Sequence, residues 1–455
     1  MVNYSIIQKS QLEGGLRLDA EYYQPEYLSL NSKLKNQKSK FLADLAKNII
    51  CGPFGSAILQ EDYRAAGVPL IRVSDLNDWF VRDDDLVFIK ESLSEKMKRY
   101  QVTDGDIVVS QRGTIAMFSR VTNIFPKWNI SANLISIKKS PQIDFDYLLA
   151  FLNSFYGINQ LYHKLSGQVQ PKITTDDVRQ ILIFVPDIEK QREIAKFIQN
   201  SRHGQESSKS LYSQAENLLL TELGLSESKA WEDETLSYIV NLSEAKSAHR
   251  ADAEYFQPKY EKLVERIKKH GADPLLSLAQ NVAARFNPKS QPTKLFQYVE
   301  LSNITSSVGT IDGFSEVSGD EAPSRAKRVL KTNDVILSSV EGSLEKVALA
   351  GKEQEGYLAS NGFFQFRSKD ILPEVLLVLA KSFILQMQFG KETAGTILTA
   401  VPKEAVKNIV VPKVDKPTQQ KIADLVQKSH EARSKAKQLL EEAKNKVANL
   451  IEVKS

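Results

Sequence analysis

Ser110-Gln111-Arg112-Gly113 follows the β-branched run Asp106-Ile107-Val108-Val109. An amide such as Gln111 sets a donor beside an acceptor, which suits adenine, and the fork of Arg112 suits guanine O6 and N7. Gly113 lets backbone approach a phosphate. The competing reading of this stretch is an ordinary exposed turn. Arg72 stands behind the run Val68 to Ile71 and ahead of Ser74-Asp75, where it can read guanine or pair with Asp75 or Asp104. Gln168, Gln170 and Lys172 form a second polar set, and Thr396 brings a hydroxyl at the corresponding place further on; both fit a groove-facing loop or a solvated hairpin. Gly52 and Ser56 bracket Gly52-Pro53-Phe54-Gly55-Ser56, and Ser338, which matches Ser110, is a further candidate with Ser339 beside it. Lys98, Arg99, Arg325, Lys327, Arg328, Lys346 and Lys403 carry the charge that phosphates attract without sequence preference, and Arg285 is a further DNA-binding candidate. A solvated charged face explains each of them equally well. The chemistry on offer is recognition of base edges and phosphates of double-stranded DNA.

Other chemistries lack their residues. The Gly-Pro-Phe-Gly-Ser stretch has no following Lys-Ser/Thr, so it is no nucleotide loop. The histidines at 163, 203, 249, 270 and 430 include no pair at ligand spacing, so no metal site is expected. Neither an Asn/Asp-Pro-Pro-aromatic motif for amino methylation nor a glycine-rich cofactor loop occurs. We expect a non-catalytic chain with no cofactor of its own.

The elements that hold these residues belong to an ordinary globular protein of 455 residues, 42% hydrophobic and 25% charged, enough for roughly three folding units. A net charge of +4 permits nucleic acid without demanding it. The longest apolar runs, Ile181 to Val185 and Val375 to Ala380, are too short to cross a bilayer. A single cysteine, Cys51, forbids an internal disulfide and fits a reducing compartment. With no basic-then-apolar start, a cytoplasmic location is expected.

The chain also repeats itself. Arg17-Leu18-Asp19-Ala20-Glu21-Tyr22-Tyr23-Gln24-Pro25 returns as Arg250-Ala251-Asp252-Ala253-Glu254-Tyr255-Phe256-Gln257-Pro258, and from Asp19 to Asp252 the offset is 233. Further on an offset of 228 relates Asp106 to Asp334, Asn133 to Asn361, Val178 to Val406 and Ile194-Ala195 to Ile422-Ala423. Such an ordered series marks a tandem duplication. Each copy opens on the Asp-Ala-Glu-Tyr segment, whose aromatics suit packing better than base stacking. A body of mixed short strands and a helical patch follows, making the class α/β (α+β), and a long helix closes the copy.

Those helices carry heptad seams. Ile194, Ile198, Ser201, Ser208 and Tyr212 fall on one, and Ile422, Val426, Ser429, Ala436 and Leu440 on the other. Small residues in mid-seam, with Gly204, suit close approach of two backbones. The reading we favour is one antiparallel, intramolecular coiled coil relating the copies by a pseudo-two-fold axis; alternatively each helix packs on its own body. About 34 residues at 1.5 Å span roughly 50 Å. Such a spacer would hold two reading modules for half-sites about one DNA turn (roughly 34 Å) apart.

This organisation resembles the specificity subunit of Type I restriction–modification enzymes. The likeness rests on Asp-Ala-Glu-Tyr-Tyr-Gln-Pro, Gly52-Pro53-Phe54-Gly55-Ser56, Pro69-Leu70-Ile71-Arg72-Val73-Ser74-Asp75-Leu76, Gly105 to Gly113, and Val185-Pro186 ahead of Lys190-Gln191-Arg192-Glu193-Ile194. The second copy departs from it, with Arg285-Phe286-Asn287-Pro288 where the first has Gly-Pro-Phe-Gly-Ser and Val340-Glu341 for Gln111-Arg112. The resemblance implies two target recognition domains, at 1–186 (with the N-terminal segment) and 231–412. It implies spacer helices at 187–230 and 413–455 that dock two methyltransferase subunits carrying S-adenosylmethionine, joined by two restriction subunits. The target would then be split and asymmetric. A duplicated protein-interaction scaffold with a coiled-coil spine is the alternative.

Overall fold

The computed structural model describes residues 6–9, 20–35, 37–77, 79–165, 171–225, 237–393 and 399–452. Contacts divide the chain into one unit of Met1–Gly204 with Lys435–Ser455 and a second of Gln205–Ser434.

The first unit holds ten strands among its described residues. They are β1 (Ser39–Phe41), β2 (Asn48–Cys51), β3 (Val68–Ile71), β4 (Val87–Ile89), β5 (Gln101–Val102), β6 (Ile107–Ser110), β7 (Phe118–Arg120), β8 (Trp128–Ile130), β9 (Leu134–Lys138) and β10 (Leu182–Phe184). One sheet has the order β2-β9-β6-β7, a second β4-β3-β8-β5, and β1 pairs with β10. Both faces of the central strands β6 and β9 are covered, so these read as near-continuous buried runs rather than alternating ones. Ile107, Val109, Ile135 and Ile137 face the helices α1 (Phe145–Leu152) and α2 (Phe155–Leu165), while Val108 and Leu134 pack with Ile71 and Trp128 of the second sheet. Asp144 caps α1, accepting from the N–H groups of Asp146 and Tyr147. A long helix, α3 (Ile188–Glu222), follows β10.

The second unit repeats this plan. Its strands are β11 (Ala272–Pro274), β12 (Ala279–Asn281), β13 (Leu295–Val299), β14 (Ile304–Thr305), β15 (Thr310–Ile311), β16 (Ser315–Ser318), β17 (Ala326–Val329), β18 (Asp334–Ser338), β19 (Val347–Leu349), β20 (Leu358–Ser360), β21 (Phe363–Ser368) and β22 (Val410–Pro412). The orders β12-β21-β18-β19, β16-β13-β20-β17 and β11-β22 correspond strand for strand to the first unit, and the hairpin β14-β15 is an addition. Helices α4 (Pro373–Lys381) and α5 (Phe383–Lys391) correspond to α1 and α2, and α6 (Lys416–Glu452) closes the chain.

The likeness extends to single hydrogen bonds at the 228 offset. Gln160 clamps Leu182 through both its amide atoms, as Gln388 clamps Val410. Gln191 accepts from the Asp144 N–H at 3.0 Å and Gln419 from the Leu372 N–H at 3.1 Å. Gln199 donates to Asp146 and Gln427 to Glu374, tying each long helix to the start of its neighbour. Buried polar groups need partners, so a satisfied set of this kind fixes the frame in both copies.

Within the first unit, Ile194 and Ile198 of α3 share a core with Leu440, Ala443, Val447 and Ile451 of α6, and Lys446 pairs with Glu193 at 2.7 Å. Within the second, Tyr212, Ala215 and Leu219 share a core with Ile422 and Val426. There Ser208 and Ser429 meet with hydroxyl oxygens 3.0 Å apart, and the Ser429 hydroxyl donates to the Ser208 carbonyl at 2.7 Å. The small side chains allow that backbone approach. Within the second unit Ser208 meets Ser429 while the later Leu219 shares a core with the earlier Ile422, so the two segments run antiparallel there. Ser201 and Ala436 are buried too, while Gly204 is half-buried in α3.

The repeated aromatics are engaged in packing. Tyr22 stacks on His163 of α2 with centroids 4.1 Å apart, and Tyr255 lies under Arg250 and Lys391, each 4.6 Å from its centroid. His163 and Lys391 stand 228 residues apart. Asp19 itself lies outside the described residues.

Candidate nucleic-acid interface

One end of each body gathers the loops that carry the candidate residues. In the first unit Gln111 is the hub. Its N–H donates to the Asn133 carbonyl at 2.8 Å, and its own carbonyl accepts from Ile173 N–H at 3.0 Å. Gly52 N–H donates to the Leu134 carbonyl at 2.7 Å, and Ser131 N–H to the Ile71 carbonyl at 2.9 Å. The loops after β2, β3, β6 and β8 and the segment at 171–173 therefore meet along one edge. Because Gln101 of β5 pairs with Asn129 near the end of β8, the turn Lys98–Tyr100 joins the same edge.

In the second unit Ser339 is the equivalent hub, 228 residues on. Its N–H donates to the Gly362 carbonyl and its carbonyl accepts from Val401 N–H, both at 2.8 Å. Asn361 N–H donates to the Arg325 carbonyl at 2.7 Å and Phe286 N–H to the Lys327 carbonyl at 3.0 Å. Arg285, Arg325 and Lys327 thus lie along the corresponding edge, exposed.

Several residues read as candidates turn out to build the edge instead. Gln111 is buried, and its amide donates to the Cys51 sulfur at 3.4 Å. The side chain that reaches solvent is its neighbour Arg112, because the strand ends at Ser110 and the turn aims the next residue outward. Arg72 sets its fork on Asp75, with Nε to Oδ2 at 3.0 Å and Nη2 to Oδ1 at 2.8 Å, and donates also to the Asp85 carbonyl. The hydrogen bonds to Asp75 hold its guanidinium more firmly protonated than usual. Of the two alternatives, this is the geometry of the ion pair. Ser74 is exposed and donates to Asp75.

Arg328 is not a phosphate contact. It is 3% exposed and donates from Nη1 to the Val282 carbonyl at 2.6 Å. Burial pulls its pKa down to about 10, so it stays charged at neutral pH. Strand alternation sets Ala326 and Arg328 inward and Lys327 and Val329 outward, and the pairing register shifts between Ala326 and Arg328. Ser338 and Ser339 likewise serve the turn: Ser338 meets Ser343 at 2.9 Å and Ser339 donates to the Gly362 carbonyl at 2.8 Å.

Ser56, Lys98, Arg99, Arg112, Lys172, Arg285, Arg325, Lys327 and Lys403 are exposed, and Lys346 is half-buried. Gln168, Gln170 and Thr396 lie outside the described residues. Gly52 is required by space, since a Cβ there would sit 2.3 Å from the Ser131 carbonyl oxygen. Among the described residues no group of three or more His, Cys, Asp or Glu could hold a metal ion, and no described helix is long and apolar enough to cross a membrane.

Sequence reasoning passed over two functional groups. Asp106 and Asp334, both buried, pin the turns before β6 and β18; their match at the 228 offset was the available signal. Phe54, read only as part of a motif, projects from the edge at 87% exposure.

Residues 24–216 match the family model described as the Type I restriction modification DNA specificity domain. No curated protein matches the chain. Among solved structures, the S subunit of a Type I restriction–modification system from M. genitalium is similar at 13% identity, covering 91% of this chain and 94% of that one, with a TM-score of 0.38. The HsdS subunit from Thermoanaerobacter tengcongensis is similar at 13% identity, covering 90% and 95%, with a TM-score of 0.29. The match over the first copy, whose strand order the second repeats, shows residues 24–216 to be similar to the Type I restriction modification DNA specificity domain.

Proposed function

We propose that the chain is the DNA-reading subunit of a Type I restriction–modification enzyme, with each copy reading one part of a split, asymmetric target. The observation that carries this reading is the contrast between frame and edge. The copies keep the same strand order and share the Gln160/Gln388 and Gln191/Gln419 clamps, yet their edges differ residue by residue. Before the positive-φ glycines 113 and 342 stand Arg112 and Glu341, both exposed. A common scaffold with unlike edges is what two readers of different sequences need. Arginine suits guanine and glutamate accepts from cytosine N4, while the exposed cations around them suit phosphates.

The resemblance supplies the rest of the proposal. The helices α3 and α6 would dock methyltransferase subunits, which bring S-adenosylmethionine and the methylation chemistry, and restriction subunits would join these. The chain's own part is to choose the sequence.

Arg112→Ala tests the division of labour. In complex with the methyltransferase, the variant should lose roughly 1–3 kcal/mol of discrimination at one base pair in one part of the target. Selection from a random duplex pool reads this directly. Uniform weakening on all sequences, with a shallower salt dependence, would make Arg112 a phosphate contact instead.

A further inference from the structure

Phe54 has the most unusual setting of any edge residue. It is 87% exposed, and a lone exposed aromatic by itself means little. Its support is what distinguishes it. Pro53 before it is buried, and Gly52 before that is locked against the Ser131 carbonyl and bonded to Leu134. Behind it the Ala57 N–H donates to the Phe54 carbonyl at 2.9 Å, closing the turn Gly55–Ala57. The ring is therefore held outward by a fixed backbone. The loop is also stitched to the recognition edge, since Gln111, neighbour of the exposed Arg112, donates to Cys51 at the end of β2.

The second copy makes the opposite choice. In the loop after β12, Phe286 turns inward and meets Phe296 edge-on with centroids 5.8 Å apart, while Arg285 faces solvent. One copy thus offers an apolar ring where the other offers a cation.

A phenyl ring neither donates nor accepts a hydrogen bond. On the major-groove edges of the four bases the one apolar group is the thymine 5-methyl. We propose that Phe54 is a specificity-determining residue that contacts a thymine methyl in the part of the target read by the first copy. This rests on the DNA-reading function proposed above. The second copy has no such contact in its corresponding loop and reads there through Arg285.

The experiment is a thymine-to-uracil exchange in the selected target, which removes a methyl and leaves pairing intact. Binding is measured with the chain in complex with its methyltransferase. Uracil in the first copy's part should weaken binding roughly fourfold at one position, the loss of one buried methyl. Phe54→Ala should lose at least as much on the thymine target and respond no further to uracil, whereas Phe54→Leu should keep the sensitivity. A first part without an A·T pair, a uracil effect unchanged in Phe54→Ala, or a Phe54-dependent rise in 2-aminopurine fluorescence showing the ring wedged between bases would each overturn the contact. In those cases the selected target still stands and the DNA-reading function survives. Absence of any sequence preference in the complex would overturn both.

Discussion

A chain cut after Ser434 is expected to lose the fold of its first body while keeping that of the second. The missing residues contribute Leu440, Ala443, Val447 and Ile451 to the same core as Ile194, Ile198 and the sheet residues Ile107 and Ile135. Burying a side chain the size of Leu, Val or Ile stabilises by about 1.5–3 kcal/mol, so the three large ones account for roughly 5–9 kcal/mol. Domains hold only about 5–15 kcal/mol in all. Polar ties go as well, from Gln37 Nε2 to the Ile451 carbonyl at 2.6 Å, from the Tyr156 hydroxyl to Glu452 at 3.3 Å and from Lys446 to Glu193 at 2.7 Å. The second unit closes within residues 205–434 and retains its own helix pair, with Ser208 on Ser429. Limited proteolysis followed by mass mapping should show cleavage spread through residues 37–204 and protection of 258–434. Equal protection of both would contradict the account of the core.

The second large effect is Asp334→Ala. This carboxylate is fully buried and accepts four hydrogen bonds: from Lys331 N–H at 2.8 Å, Gln365 Nε2 at 2.6 Å, and Arg367 Nε and Nη2 at 2.9 Å each. Removing it takes the carboxylate from a guanidinium about a third exposed and leaves the Gln365 amide only its bond to the Val329 carbonyl at 2.9 Å. Losing hydrogen bonds to a buried charge costs about 1.5–3 kcal/mol. Asp334→Asn keeps part of the geometry and should cost less, although its charge is gone. Thermal unfolding of the two variants beside the parent chain tests this. A shift of Asp334→Ala too small to correspond to about 1 kcal/mol would show that the turn before β18 is held by other means.

Repetition made much of the fold legible. The two offsets placed the bodies in register, and strand order and polar clamps follow that register. The long helices were readable because Ile, Val and Leu recur at heptad spacing. What stayed illegible was which of two adjacent polar residues faces water. At Gln111-Arg112 the answer depends on where β6 ends, and at Lys327-Arg328 on which face of β17 meets the core, neither of which has a residue signature. In β17 Ala326 and Arg328 point inward while Lys327 and Val329 point outward, so hydrophobic alternation gives the wrong face for Val329. Arg72 carried its own answer in Asp75 three residues later, because a short turn brings the two together with the Arg72 N–H bonded to the same carboxylate. Phe54 was invisible for another reason, since burial belongs to the fold and apolar residues are expected inside.

Selection of bound duplexes from a random pool, by the full chain with its methyltransferase, tests the central claim most directly. Two frames with unlike edges predict two specified blocks separated by unspecified base pairs, the blocks differing in sequence. A single uninterrupted block, two identical blocks, or no preference at any salt concentration would contradict it.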